Sequence, residues 1–154
     1  MRRSRALLAG LAPILAVTIS CGNEIEPAPP PLCTSRVLVN EAIVTIAWAG
    51  TADAMDVLMR GSDKVQAACD YITGQSSANI PSGRILAGSA PSDTRVPFHY
   101  IPESVQFVQA AIELCDSALL KTPEAVAAFF QGTGSDPAGS APYCPWGARP
   151  VYVR

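Results

Sequence analysis

The sequence predicts a mainly α-helical domain, a small helical bundle held together by disulfide bonds and joined by irregular loops. Apolar residues recur at helical spacing in two segments, residues typical of helix starts precede them, and four cysteines are spread along the folded part of the chain. A chain of 154 residues has room for one modest domain. The alternative is an α+β fold with a short two- or three-stranded sheet, since one apolar segment is rich in β-branched residues.

The first twenty residues have the pattern of a signal peptide. Arg2, Arg3 and Arg5 form a basic start, and the following run, 6–19, contains no charged residue. Such a run fits the roughly 7–15 residues of a signal-peptide hydrophobic region and is shorter than the roughly 20 that cross a bilayer. We therefore expect residues 1–20 to direct export.

Residues 17–22, Val-Thr-Ile-Ser-Cys-Gly, resemble a bacterial lipobox, in which small or apolar residues precede a cysteine. The resemblance implies that Cys21 is diacylated and becomes the new N-terminus. Several acyl chains anchor firmly, since each buried CH₂ contributes about 0.8 kcal/mol. The expected location is the cell membrane, with a lipid-anchored domain facing the extracytoplasmic side, or the outer membrane in a host with two membranes. Plain secretion and an uncleaved anchor are the alternatives.

The mature chain is expected to begin with a tether. Residues 21–31 contain the lipidated cysteine followed by Pro27, Pro29, Pro30 and Pro31. Proline-rich segments are extended, at about 3.1 Å per residue. No internal repeat or second linker follows, so residues 32–154 are predicted to form one extracytoplasmic domain.

The first half of that domain is predicted to contain three helices. The segment 36–49 is apolar nearly all round and long enough for a buried helix, although two short strands are an alternative. A short helix is expected between Thr51 and Met59, ending at Gly61. The next helix begins at Ser62 and places four apolar residues on one face, at Val65, Ala68, Cys69 and Ile72.

The second half begins with a loop and then predicts two further helices. Segment 75–94 is rich in Ser, Gly and Pro, and short strands are expected at 84–87 and 96–101. A helix is predicted from Pro102, with an apolar stripe formed by Val105, Val108, Ile112, Cys115 and Leu119. Thr122 and Pro123 then predict a helix start, and that helix runs to Gln131. The tail is irregular, with a short edge strand at 151–153.

The cysteines predict two disulfide bonds. With Cys21 lipidated, four cysteines remain in an exported chain, and an even number favours disulfides, at Cys33, Cys69, Cys115 and Cys144. Three pairings are open, and Cys33–Cys69 with Cys115–Cys144 is favoured. No two of these four lie closer than 29 positions, so the spacings of redox and zinc motifs are absent and no metal site is predicted.

His99 is the single histidine and stands in an aromatic stretch, Pro-Phe-His-Tyr-Ile. With Tyr100 and Trp48 it is the speculative ligand-binding set. No nucleophile elbow, phosphate-binding loop or Ser-x-x-Lys motif occurs, so no catalytic residue is predicted and the chain is not expected to be an enzyme. No cofactor is predicted, with haem on His99 as an alternative.

The charge balance points away from nucleic acid. The formal net charge is −2, without the basic surface that nucleic-acid binding requires. The expected function is that of a non-catalytic, membrane-anchored envelope lipoprotein that binds a protein partner or supports an envelope complex. The alternative is a carrier of a small apolar ligand or haem, with the segment Val37–Trp48 lining a pocket. A small hydrolase is a second alternative.

Overall fold

A computed structural model describes residues 32–34, 36–109 and 118–154. Their elements, numbered in chain order, are β1 Glu41–Trp48, β2 Ala54–Arg60, α1 Ser62–Ile72, β3 Ile80–Ala87, β4 Phe98–Tyr100, β5 Gln106–Val108, α2 Pro123–Thr133, β6 Ala141–Tyr143 and β7 Ala148–Val153, after a 3₁₀ turn at Leu32–Thr34. Within this part of the chain, seven strands form two antiparallel sheets and two α-helices pack beside them. The prediction of a mainly α-helical bundle is therefore wrong.

The first sheet has the order β2-β1-β7, with β1 in the middle. Its register pairs Val44 of β1 with Val57 of β2 on one side and with Val153 of β7 on the other. Residues of β1 are alternately buried and partly buried, and Val44 and Ile46 are almost fully enclosed. The helix predicted for 36–49 is therefore a strand. Helix α1 packs against β1 and β7, and the partly buried face is apolar too, which hides the two-residue period.

The helix predicted between Thr51 and Met59 is also wrong. The structure forms β2 there, with Met55, Val57 and Met59 buried and Asp56 on the other face. Residues four apart share a face in a helix as well as in a strand, and methionine is a good helix former. The pairing with β1 decides in favour of the strand.

The second sheet is built around β3. Strand β5 pairs with the beginning of β3, and β4 pairs with its end. Strand β6 pairs with the middle, where Gly83 lies opposite Tyr143. A Cβ at Gly83 would lie 3.1 Å from the Tyr100 ring and 3.2 Å from the Ser104 carbonyl oxygen, so a glycine suits this crowded position. The strands expected at 84–87, 96–101 and 151–153 are parts or neighbours of β3, β4 and β7.

The helix predicted from Pro102 does not begin there. Residues 102–104 form a turn, and Gln106–Val108 is strand β5. Ile112 and Cys115, which belong to the predicted stripe, lie outside the described residues. Val105 is nonetheless 1% exposed, so the apolar stripe identifies a core residue in a different element.

Both helices that start at strong capping signals are present. Helix α1 buries Val65, Ala68 and Cys69, although Gly61 rather than Ser62 is its N-cap. Gly61 has a φ of 115°, a conformation that side-chain-bearing residues rarely adopt. In α2 the Thr122 side chain accepts a hydrogen bond from the Ala125 N–H, as the sequence predicts for this start.

An aromatic group fills the space between the second sheet and α2. Phe98 and Tyr143 are fully buried, and their ring centroids lie 5.3 Å apart in an edge-to-face arrangement. Phe129 of α2 packs on Tyr143 at 5.4 Å. Burial raises the pKa of the Tyr100 hydroxyl well above its ordinary value, with a further contribution from Tyr143. These rings keep β4 and α2 in fixed positions.

A disulfide bond joins Cys33, in the N-terminal turn, to Cys69 of α1. This is the pairing that the sequence analysis favours for these two residues. Cys144 is also disulfide-bonded. Cys21 and Cys115 lie outside the described residues, so the lipidation site and the second predicted pair are not tested. Among the described residues, no helix is long and apolar enough to cross a membrane.

Candidate functional site

The end of β2, the loop 88–97 and β4 surround a cavity of about 230 Å³. Apolar side chains dominate its wall, and the few polar residues are Asp56, Ser92 and His99. The complete lining is Asp56, Val57, Leu58, Ala90, Pro91, Ser92, His99, Tyr100 and Pro102. A mostly apolar concavity with a few convergent polar groups is the usual form of a small-molecule site.

Two of the three speculative ligand-binding residues meet at this cavity. His99 and Tyr100 line it, because both belong to β4. Trp48 is 6% exposed in the hydrophobic core at the end of β1 and does not line it. Most of the segment Val37–Trp48 likewise belongs to β1, whose alternate residues fill the core. The structure therefore separates the histidine and the tryptophan that the sequence groups together.

His99 is held by its main-chain surroundings. It lies opposite Leu86 in the β3–β4 ladder, and its Nδ1 is 2.6 Å from the carbonyl oxygen of Gly88. A carbonyl oxygen only accepts hydrogen bonds, so Nδ1 must carry the hydrogen and donate it. In the neutral imidazole the other ring nitrogen, Nε2, is then a hydrogen-bond acceptor.

Ser92 has a buried hydroxyl without a partner. Its Oγ is enclosed and makes no hydrogen bond to any described residue, which sets it apart among the buried side-chain polar atoms in this part of the chain. Leaving such a group unsatisfied costs about 1–3 kcal/mol, so native proteins rarely do so without a reason. Because Ser92 lines the cavity, a bound molecule could supply the missing hydrogen bond.

The charge of Asp56 is balanced inside the protein. One carboxylate oxygen accepts a hydrogen bond from Thr45 Oγ1 at 2.6 Å, and the other accepts one from Arg154 at 2.7 Å. The Asp56 side chain is 13% exposed, so these bonds form in a partly desolvated place. The carboxylate therefore shapes one wall of the cavity but has both oxygens engaged.

The loop 88–97 is fixed from behind by Asp93, whose side chain is 1% exposed. Asp93 accepts hydrogen bonds from the Asp56 N–H at 2.9 Å and from Arg95 Nε at 2.8 Å. Burial alone would raise the pKa of this carboxyl, but these hydrogen bonds and the Arg95 charge lower it to about 2. The carboxylate stays ionised and ties the loop to β2.

A second apolar cavity of about 310 Å³ lies on the α2 side of the same loop. Its lining is Ala87, Gly88, Ser89, Pro97, Pro123, Val126, Ala127 and Phe130. The largest cavity found among the described residues, about 420 Å³, is lined mainly by polar side chains around the Cys33–Cys69 disulfide. Neither contains a buried side-chain polar atom that lacks a partner, which distinguishes the cavity at His99.

Sequence reasoning missed Ser92 and Asp56 as members of the site. The segment around Ser92 shows only a loop composition, and no local pattern indicates that it meets β2, from which it is far removed in sequence. Within the residues that the structure describes, no group of three or more His, Cys, Asp or Glu side chains could hold a metal ion. Trp146, expected to pack over a disulfide, is 49% exposed.

Comparison with known proteins places the fold in a family. No curated protein and no solved structure matches the chain. One family model, described as the BP-74 N-terminal domain, matches residues 40–153. The match begins just before β1 and ends at the last residue of β7, so it covers both sheets and both helices. The chain thus belongs to the BP-74 N-terminal domain family.

Proposed function

We propose that the domain is a non-catalytic binding module that carries a small, predominantly apolar ligand in the cavity at His99. The observation that carries this proposal is the Ser92 hydroxyl, buried at an apolar cavity without a hydrogen-bond partner among the described residues. A rigid wall supports it, since β2, β4 and the loop held by Asp93 are connected by hydrogen bonds. We prefer this function to the binding of an envelope protein because the cavity contains a specific unsatisfied group.

The size of the cavity limits the ligand. Its volume of about 230 Å³ lies below the roughly 300–1,000 Å³ of sites for drug-sized molecules. A macrocycle such as haem needs a larger cleft, so the proposal is for a single ring or a short branched chain rather than haem. His99 then acts as a hydrogen-bonding residue and not as a metal ligand.

Nuclear magnetic resonance tests the proposal directly. Toluene is titrated into ¹⁵N-labelled protein, and the shifted amide signals are mapped onto the structure. Signals of Ala90, Ser92 and His99 are expected to shift with one common saturation curve. Substituting Ala90→Leu places a larger side chain in the cavity wall and is expected to abolish the shifts.

Ala127→Leu is the matched control, since Ala127 lines the second apolar cavity. It adds the same atoms to a wall of similar character and is expected to leave toluene binding unchanged. If Ala127→Leu removes binding and Ala90→Leu does not, the ligand occupies the α2 side and the proposal is wrong. Absence of saturable binding in the unmodified protein also contradicts it.

We further propose that the domain works outside the cytoplasm, anchored through Cys21. The disulfide between Cys33 and Cys69 supports an oxidising compartment, because such bonds are rare in the cytosol. Labelling cells with a fatty-acid analogue is expected to mark the unmodified protein and not Cys21→Ser. Equal labelling of the two proteins would exclude the anchor.

A further inference from the structure

We infer that the ligand is a neutral molecule with an apolar ring and one hydroxyl group, and that this hydroxyl donates a hydrogen bond to Nε2 of His99. The inference rests on the proposed function and adds the chemical class of the ligand. It starts from the 2.6 Å contact between His99 Nδ1 and the Gly88 carbonyl oxygen. That contact assigns the ring hydrogen to Nδ1 and leaves Nε2 as an acceptor.

A hydroxyl group suits both polar residues of the cavity that have bonding capacity left. It can donate its hydrogen to Nε2 of His99 and accept one from the Ser92 hydroxyl, whose hydrogen rotates freely. An apolar ligand would leave the Ser92 oxygen buried and unpaired, as it is now. A hydroxyl is also the smallest group able to do both, which matters in about 230 Å³.

Charged ligands fit this cavity less well. An anion would lie beside the Asp56 carboxylate, which lines the cavity. A cation would require a free carboxylate, but the two Asp56 oxygens already accept hydrogen bonds from Thr45 and Arg154. Bringing an ion into an apolar cavity without a counter-charge carries a large desolvation cost. The neutral hydroxyl avoids that cost.

The test compares three probes of nearly equal size: phenol, toluene and benzylamine. Each is titrated into the full-length labelled protein at neutral pH, with dissociation constants from the amide shifts of cavity residues. Affinities in the millimolar range are normal for ligands this small. Because one hydrogen bond is worth about 0.5–1.5 kcal/mol net, phenol is expected to bind up to about tenfold more tightly than toluene. Benzylamine is expected to bind most weakly.

Two substitutions identify the hydrogen-bonding residues. His99→Phe keeps a ring but removes Nε2, and it is expected to eliminate the preference for phenol while toluene still binds. Ser92→Ala is expected to reduce the preference in part. Ser135→Ala, on an exposed loop, is the control and should preserve the ratio.

The outcomes separate this inference from the function on which it rests. If toluene and phenol bind equally, or benzylamine binds best, the hydroxyl inference is wrong and the apolar-ligand function stands. If none of the three binds, both fail. A preference for phenol that survives in His99→Phe would also overturn the assignment to Nε2. The comparison of probes needs only the unmodified protein, so it remains decisive even if a variant does not fold.

Discussion

At the scale of single residues, Asp93 has the largest structural role near the cavity. It is a buried carboxylate whose hydrogen bonds connect the loop 88–97 to the main chain of β2. Arg95 covers its outer side, 2.6 Å away, and Arg154 reaches the neighbouring Asp56. Removing one partner of such a buried, hydrogen-bonded pair is costly because the remaining groups are left unsatisfied. Asp93 therefore determines the position of Ser92.

Asp93→Asn is expected to lower the free energy of unfolding at neutral pH by about 2–3 kcal/mol, because charge-assisted hydrogen bonds are lost. The folded-state pKa of about 2 lies below the unfolded value of about 3.9. The stabilisation is thus complete above that unfolded value and is lost as the pH falls towards 2. Urea unfolding from about pH 5 to pH 2 should show a shallower decline in the variant.

Asp63→Asn, at an exposed position in α1, is the control for this measurement. It is expected to change the unfolding free energy by less than about 0.5 kcal/mol. Parallel stability curves for the unmodified protein and Asp93→Asn would mean that another carboxyl dominates the acid response.

At the scale of elements, α2 is the helix whose boundaries depend most clearly on local chemistry. Thr122 has an extended backbone, its Oγ1 accepts a hydrogen bond from the Ala125 N–H at 3.2 Å, and Pro123 occupies the first turn. Glu124 adds a negative charge near the positive end of the helix dipole. The helix buries Val126 against the second sheet and lines the second cavity.

Thr122→Ala is expected to lower the free energy of unfolding by about 1 kcal/mol, because one N–H at the helix start loses its acceptor. Thr122→Ser keeps the hydroxyl oxygen and should recover most of the loss. Both values come from urea denaturation followed by circular dichroism. An equal loss in the two variants would show that the methyl group, and not the cap, is responsible.

The same elements show what local sequence can predict. Both helices that begin at a cap and bury one apolar face are present, since their signals lie within a few residues. For the segments of β1 and β2 the local pattern predicts helices, because packing on both faces of β1 removes the alternation that identifies a strand. Hydrogen-bonded partners elsewhere in the chain make these segments strands.

The candidate site follows the same rule. His99 and Tyr100 can be predicted because they are adjacent and unusual in this composition. Ser92 and Asp56 join them only through the fold, as the hydrogen bond from the Asp56 N–H to Asp93 illustrates. Trp48 has the right chemistry for a ligand site, but the inward face of β1 directs it into the core.

At the scale of the whole molecule, the Cys33–Cys69 disulfide fixes the N-terminal turn to α1. The two cysteines are 36 residues apart, and closing a loop of that length can contribute up to about 4 kcal/mol through the entropy of the unfolded chain. No residue of this disulfide lines the cavity at His99. Stability and ligand binding should therefore respond separately to its removal.

The double substitution Cys33→Ser with Cys69→Ser is expected to lower the melting temperature by several degrees, since the unfolded chain gains freedom. Toluene binding at a temperature where the variant is folded should be unchanged. Calorimetry and the same amide titration provide the two measurements. Loss of binding in a folded variant would show that the disulfide shapes the cavity.

The strand order β2-β1-β7 also has a consequence for how the protein is made. Strand β1 pairs early with β2, but its other edge waits for β7, as the pairing of Val44 with Val153 shows. Pairings between segments so distant in sequence form slowly. While the chain is synthesised, the apolar strand β1 therefore has an open edge, and unpaired edges of this kind favour aggregation. A chaperone that covers β1 until β7 arrives would raise the yield of folded protein.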